Sequence, residues 1–160
     1  MEREILQLLH ENAKLTARQI ATMLGVAEKE VKAKIKELEE KKAIIKYHTL
    51  INWEKTEYEP VMALIEVKVT PQREVGFDGI AKRIYQFDEV KDVYLMSGDY
   101  DLAVMVEGNS MKEVALFVAL KLSTIEGVQS CATHFILKTY KHEGVILDDD
   151  GEDRRLVISP

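Results

Sequence analysis

Residues 16–40, TARQIATMLGVAEKEVKAKIKELEE, read as two helices joined by a tight turn. Thr16 and Gln19 are spaced as a T-x-x-Q capping box, which places a helix start at Thr16. Ile20, Met23 and Leu24 follow at core spacing, and Gly25 ends the helix because glycine enters the left-handed conformation at little cost. A second helix runs from about Ala27 to Glu40. Val31, Ile35 and Leu38 fall on one side of it, and Lys29, Lys32 and Lys36 on the other with Ala33 among them. Such a helix can pack inward with one face and meet phosphates with the other. An ordinary solvated face, with lysines alternating with glutamates, is the alternative.

Upstream, residues 2–12 form a further helix with Ile5, Leu8 and Leu9 as its core stripe. Downstream, Ala43 to Trp53 is rich in β-branched and aromatic residues and predicts a short hairpin. Three helices and a hairpin make a winged helix-turn-helix, whose second motif helix enters the major groove of DNA. Lys46 and His48 on the hairpin could touch the DNA backbone, while Ile44, Ile45 and Ile51 are expected to close the small core.

Beyond a polar break at residues 57–60 the period changes. Val61–Val69 reads as a strand, 73–86 as a helix with Phe77, Ile80, Ala81 and Ile84 on one face, and Val90–Met96 as a strand. Residues 97–100 read as a turn, and Asp101–Val106 as a strand. A second capping box, Ser110 with Glu113, opens a helix to about Ser123 with Met111, Val114, Ala115 and Val118 inward, and Gly127–Tyr140 is the last strand. The order β-α-β-β-α-β is the ferredoxin-like split motif. The whole is therefore α+β: a head at 1–54, a linker at 55–60, a ferredoxin-like body at 61–142 and an extension at 143–160. Met62, Leu64, Ala103 and Met105 put apolar groups on the second face of the sheet as well, which predicts that a second subunit covers it.

Charge is unevenly placed. The chain of 160 residues carries −6 overall, but residues 1–56 hold 11 basic and 9 acidic residues and residues 57–160 hold 11 and 19. A mildly basic head on an acidic body suits a protein that touches nucleic acid with its head alone. The single cysteine, Cys131, excludes an internal disulfide and suits the cytoplasm. No apolar run reaches the ~20 residues of a membrane span, and the acidic amphipathic MEREILQLLH does not read as a secretory signal.

Head and body together resemble the Lrp/AsnC family of transcription regulators. The resemblance is carried by IATMLGVAEKEVKAKIKELEEKKAIIKYHTLIN, by Ser97-Gly98-Asp99-Tyr100-Asp101, which looks like the family's G-D/N-Y-D turn, and by Ser130 to Thr139, which matches its last-strand motif. The resemblance implies that the helix from Ala27 is the recognition helix, with Thr16, Arg18, Lys29, Lys32, Ala33, Lys34, Lys36 and Lys46 toward double-stranded DNA. It also implies a RAM-type body that forms a homodimer, assembling further to a tetramer or octamer. Ser97, Gly98, Asp99, Tyr100, Asp101, Thr133 and His134 are then implied at a pocket for an amino acid or similar small effector. Turn amides could hold a carboxylate there, and Asp99 or Asp101 an ammonium group. A plain hairpin turn is the alternative for Ser97–Asp101, and a structural residue for His134. Ala27 departs from the family by replacing the capping serine, lysines replace arginines at the expected base contacts, and Cys131 replaces a threonine. Lysine suits phosphates better than bidentate guanine reading.

No nucleophile, metal-ligand spacing or phosphate loop argues for an enzyme, and no cofactor is implied. The rival enzymatic reading is a siroheme decarboxylase, which resembles the same architecture; it requires His and Arg in the body, where His134 is available but arginine is limited to Arg73, Arg83 and the pair Arg154-Arg155. A non-DNA interaction module with a vestigial head is a third. The acidic run from Asp148 to Asp153 reads as a solvated loop, and Leu156–Ile158 as a segment able to add an edge strand.

Overall fold

The structure, a computed structural model, describes residues 1–71 and 76–147. Arg73, the acidic run and Leu156–Ile158 lie outside the described residues. The chain divides into two compact units, with the boundary between Ile51 and Asn52.

The first unit holds α1 (Glu2–Glu11), α2 (Ala17–Leu24) and α3 (Glu28–Glu40). Ile5, Leu9, Ile20, Ala21, Val31 and Leu38 form its buried core. Burial of each large aliphatic side chain stabilises the fold by up to about 1.5–3 kcal/mol, so these few residues decide how the three helices pack. The Thr16 box is complete. Its hydroxyl accepts from the Gln19 amide, and the Gln19 side chain accepts from the Thr16 amide at 2.8 Å. Gly25 closes α2 at φ 67°. Ala27 precedes α3 without any side-chain cap, so the acids Glu28 and Glu30 alone offset the positive end of the helix dipole.

The hairpin expected over 43–53 is not formed. Instead α3 ends in a Schellman turn: the Lys42 amide donates to the Glu39 carbonyl, the Ala43 amide donates to the Leu38 carbonyl, and Lys42 adopts φ 57°. The chain then runs on without strand pairing to a short 3₁₀ turn at Trp53–Lys55. Ile44 packs on the core as expected, but Ile45 is 86% exposed and Ile51 is also exposed. β-propensity needs a partner strand to act on, and this segment finds none in its own unit.

In the second unit β1 (Val61–Val69), α4 (Asp78–Ile84), β2 (Val90–Leu95), β3 (Leu102–Gly108), α5 (Met111–Leu120) and β4 (Val128–Phe135) follow the expected β-α-β-β-α-β order. The sheet is antiparallel with strand order β2-β3-β1-β4. One face is covered: Ala63, Ile65, Val67 and Val69 of β1 and Leu102, Val104 and Val106 of β3 pack with Ile80 and Ile84 of α4 and Val114 and Phe117 of α5. Gly127 enters β4 at φ 96°, and a Cβ there would stand 2.7 Å from Ile80 Cδ1.

Several boundaries differ from expectation. The described part of the first body helix begins at Asp78, after an N-cap at Phe77. On α5 Val114 and Phe117 are buried and Val118 packs beside them as expected, followed by Leu122, whereas Met111 and Ala115 are exposed. Its cap is also modified: Ser110 Oγ accepts from the Glu113 amide, but the Glu113 carboxylate accepts from the amide and side chain of Asn109 rather than closing on Ser110. The last strand ends at Phe135, five residues before Tyr140. A two-residue hairpin follows, β5 (Lys141–His142) and β6 (Val145–Ile146), turning through Glu143 and Gly144 with φ 46° and 82°.

Candidate functional site

In the head, Lys29, Lys32, Ala33 and Lys36 are all exposed on the side of α3 opposite Val31 and Leu38. Two of these lysines are engaged within the helix. Lys32 pairs with Glu28 at 2.6 Å and Lys36 with Glu40 at 3.8 Å. The Lys32 hydrogen bond and charge hold the Glu28 carboxyl below its ordinary range. Both pairs are exposed and weak, so phosphates can compete for the lysines.

Lys34 does not share that surface. Its side chain is 23% exposed and lies between Glu37 at 2.6 Å and Glu2 of α1 at 3.6 Å. Its role is to fasten α3 to α1, and hydrogen bonding to Glu37 raises its affinity for its proton. Glu37 in turn is lowered to about 2, by hydrogen bonds from Lys34 and Lys41. Thr16 is occupied by its cap, Arg18 is exposed in the first turn of α2, and Lys46 is exposed on the unpaired segment after α3. One contact escaped sequence reasoning: Tyr47 Oη donates to Glu39 at 2.9 Å, fixing that segment back along α3. A tyrosine eight residues from an acid gives no periodic signal.

In the body, residues 97–100 link β2 to β3 in a loop closed by the Met96 amide donating to the Asp101 carbonyl. Ser97, Gly98 and Asp99 are exposed and Tyr100 is half-buried. Asp101 is spoken for: its amide donates to the Val67 carbonyl and its Oδ2 accepts from the Val69 amide at 2.9 Å. It therefore pins the end of β1, next to the Lys68/Val69 register shift, leaving Asp99 as the exposed carboxylate of the turn.

Thr133 and His134 are not gathered with that loop in one protomer. They pair with Ile65 and Leu64, farther along β1 than the Val67–Val69 end that Asp101 holds. Adjacent strand residues also point to opposite faces, so Thr133 lies on the helix side and His134 on the open side. There His134 Nε2 stands 3.4 Å from Glu66. Cys131 faces the helix side opposite Val67, where Ser123 Oγ approaches its Sγ at 3.7 Å and burial pushes the thiol up.

The open side of the sheet carries Met62 and Leu64 from β1, Ala103 and Met105 from β3, Tyr94 from β2 and Ala132 from β4. Glu66 stands among them on β1, between Ala103 and Ala132, and His134 beside Leu64 on the edge strand β4. Among the described residues no group of three or more His, Cys, Asp or Glu is arranged to hold a metal ion. No described helix is long and apolar enough to cross a membrane.

Residues 1–45 match the family model of winged helix-turn-helix DNA-binding domains, and residues 62–146 match that of the Lrp/AsnC ligand binding domain. The chain belongs to the Lrp/AsnC family. It is 52% identical over 160 residues to the "Uncharacterized HTH-type transcriptional regulator YugG" of Bacillus subtilis, covering 99% of this chain and 96% of that one. It is 28% identical over 141 residues to the HTH-type transcriptional regulator FL11 of Pyrococcus furiosus, covering 88% and 90%. Among solved structures, Escherichia coli AsnC superposes with a TM-score of 0.69 at 20% identity, covering 88% and 93%. A Neisseria meningitidis regulator solved with L-Met gives 0.72 at 24% identity, covering 92% and 95%. The two domains are those of a DNA-binding transcriptional regulator, not of an enzyme.

Proposed function

We propose that this chain is a dimeric, amino-acid-responsive regulator that reads DNA through Lys29, Lys32, Ala33 and Lys36 of α3, with Arg18 and Lys46 on flanking phosphates. The observation that carries the reading is the exposure of those four α3 residues on one side while Val31 and Leu38 are fully packed on the other. Residues 1–54 do the reading, 55–60 link, 61–142 pair and bind effector, and 143–160 extend the body.

Pairing through the open sheet face is supported by its apolar centre of Met62, Leu64, Ala103 and Met105. The unpaired, β-prone stretch around Ile45 and Ile51 is a further surface that a second chain would cover. A two-fold pair would present two α3 helices to a palindromic site. The effector is an amino acid held by the amides and the Asp99 carboxylate of the Ser97–Tyr100 loop, with His134 contributing from the subunit contact. L-methionine is the first candidate, because a family member was solved with it. By binding one arrangement of subunits more tightly, the effector shifts the population toward it and so changes the spacing of the heads. The place of action is the cytoplasm, where the DNA is met.

The test is footprinting on genomic fragments, with and without a panel of amino acids that includes L-methionine. Protected sites whose occupancy changes with one amino acid support the reading. Retained footprints after Lys29, Lys32 and Lys36 are all changed to Ala would overturn the assigned reading surface.

A further inference from the structure

The chain is pinned on either side of the boundary between its two units at Ile51 and Asn52. On the head side the Tyr47 hydroxyl donates to Glu39 of α3 at 2.9 Å. On the body side the Asn52 side-chain amide donates to the Leu147 carbonyl at 3.1 Å, across 95 residues of chain. Two residues on, the Glu54 carboxylate accepts from the Thr139 amide at 3.4 Å. Thr139 and Leu147 flank the β5–β6 hairpin, whose base is closed by the Leu147 amide donating to the Tyr140 carbonyl at 2.9 Å. A two-stranded hairpin is marginal alone, and this one leaves Tyr140, Val145 and Ile146 exposed. Its base is held by the segment that it grips. That segment is itself folded: Trp53–Lys55 is the 3₁₀ turn, the Thr56 amide donates to the Trp53 carbonyl, and the Trp53 ring meets Tyr58 edge to face at 5.6 Å.

We infer that Asn52 and Glu54 are positioning residues. By stapling the start of the body to its C-terminal hairpin they set the length of the tether between each head and its body, and so the spacing of DNA half-sites that a pair of chains can read. Residues 48–51 alone stand between Tyr47 and Asn52, so that span reaches at most about 17 Å when fully extended. With the staples released, the first body residue fixed in the sheet is Val61, and the span from Tyr47 grows to at most about 48 Å.

Tether length decides what the second head can do once the first has bound. A short tether keeps it concentrated near one separation, and a long one spreads it over a larger volume and admits more separations. Two side chains far from α3 thus act on which DNA is bound without touching it. The effect on spacing rests on the paired, DNA-reading arrangement proposed above, whereas the staple itself does not.

The experiment compares the full chain with the double variant Asn52→Ala, Glu54→Ala on a genomic fragment protected in footprinting, and on the same fragment with one helical turn, about ten base pairs, inserted between its half-sites. A full turn keeps both half-sites on one side of the DNA and parts them by a further ~34 Å, or ~17 Å per head. That distance equals the whole wild-type span and about a third of the released one. The insertion is expected to weaken binding at least tenfold for the wild type and at most threefold for the variant. An equal penalty in both would overturn the assignment. Substitutions that merely unsettled the body would weaken binding to both fragments alike and leave the penalty as it was, so that result also counts against it. Should circular dichroism show the double variant unfolded, the single variants Asn52→Ala and Glu54→Ala carry the same comparison. The staple is also read without DNA from Trp53, the chain's one tryptophan. Time-resolved fluorescence anisotropy is expected to show it turning with the whole protein in the wild type and with an added nanosecond component in the variant. Unchanged anisotropy would overturn the staple, whereas the absence of any protected fragment counts against the DNA reading alone.

Discussion

The Asp101 carboxylate accepts a hydrogen bond from the Val69 amide at 2.9 Å, across 32 residues of chain. It turns a residue that looks like part of a ligand loop into a fastening between β3 and the end of β1. Changing Asp101 to Ala leaves the N–H of the buried Val69 without its partner, at a cost of about 1–3 kcal/mol. The expected result is a lower urea midpoint with an unchanged slope, while Asp99→Ala, at an exposed position, leaves the unfolding free energy within about 0.5 kcal/mol of wild type.

Helix α3 starts without a side-chain cap at Ala27, whose backbone is already extended at φ −74°, ψ 139°. Ser fits that conformation and brings an acceptor for the free amides. Ala27→Ser is expected to stabilise the chain by about 1 kcal/mol, measured by chemical denaturation.

At the other end of α3, Lys42 occupies the left-handed C′ position at φ 57°. Glycine takes that conformation without the steric cost of a Cβ. Lys42→Gly is expected to raise stability by roughly 0.5–1 kcal/mol, and the same exchange at the C-cap Lys41, whose backbone is right-handed at φ −74°, to lower it by a similar amount.

Gly127 combines φ 96° with a close neighbour in Ile80. An added methyl group meets both backbone strain and the Ile80 side chain. Gly127→Ala is expected to destabilise by about 2–3 kcal/mol, seen as a fall in Tm. Pairing it with Ile80→Val relieves the clash but not the strain, so the double variant should recover only part of the loss.

Glu37 titrates at about 2 against an ordinary 4.5, because Lys34 and Lys41 hydrogen-bond its charged form. A depressed carboxyl stabilises the fold above its unfolded pKa, and that contribution is lost as pH falls from about 4.5 through about 2. The position is exposed, so solvent screening keeps the effect small. NMR titration of the Glu37 carboxyl should give a midpoint near 2 in the wild type. Changing Lys34 and Lys41 to Ala should return it toward 4.5.

The helices that matter were legible because their signals are local. Thr16 with Gln19 and Gly25 mark the ends of α2 within a few bonds of the atoms they satisfy, and the structure keeps both. The β1 period was equally plain, since alternate residues of a strand face opposite sides of the sheet. The end of α3 at Glu40 was legible too, but the turn that follows it was not: a lysine at C′ carries no glycine signal, and only the Ala43 amide donating to the Leu38 carbonyl reveals the turn. The same turn sends residues 43–52 away as single extended chain, which the β-branched composition misread as a hairpin.

Within the candidate site, exposure of Lys29, Lys32 and Lys36 followed from spacing alone, yet the loss of Lys34 to Glu2 and Glu37 did not. A helical wheel places residues on their own helix and says nothing of what α1 brings alongside. Asp101 shows the same limit, for its partner at Val69 is remote in sequence.

By itself the sequence determined the order of elements, the two-domain division of labour and the two-sided apolar character of the sheet, because these depend on side-chain period and on caps that act over three or four residues. Only the tertiary structure decided which carboxylate of the turn remains exposed, which lysine leaves the exposed face of α3, and that much of the outer side of α5 is apolar and exposed. Those outcomes depend on atoms brought together from distant parts of the chain, and no local pattern encodes which of them will meet.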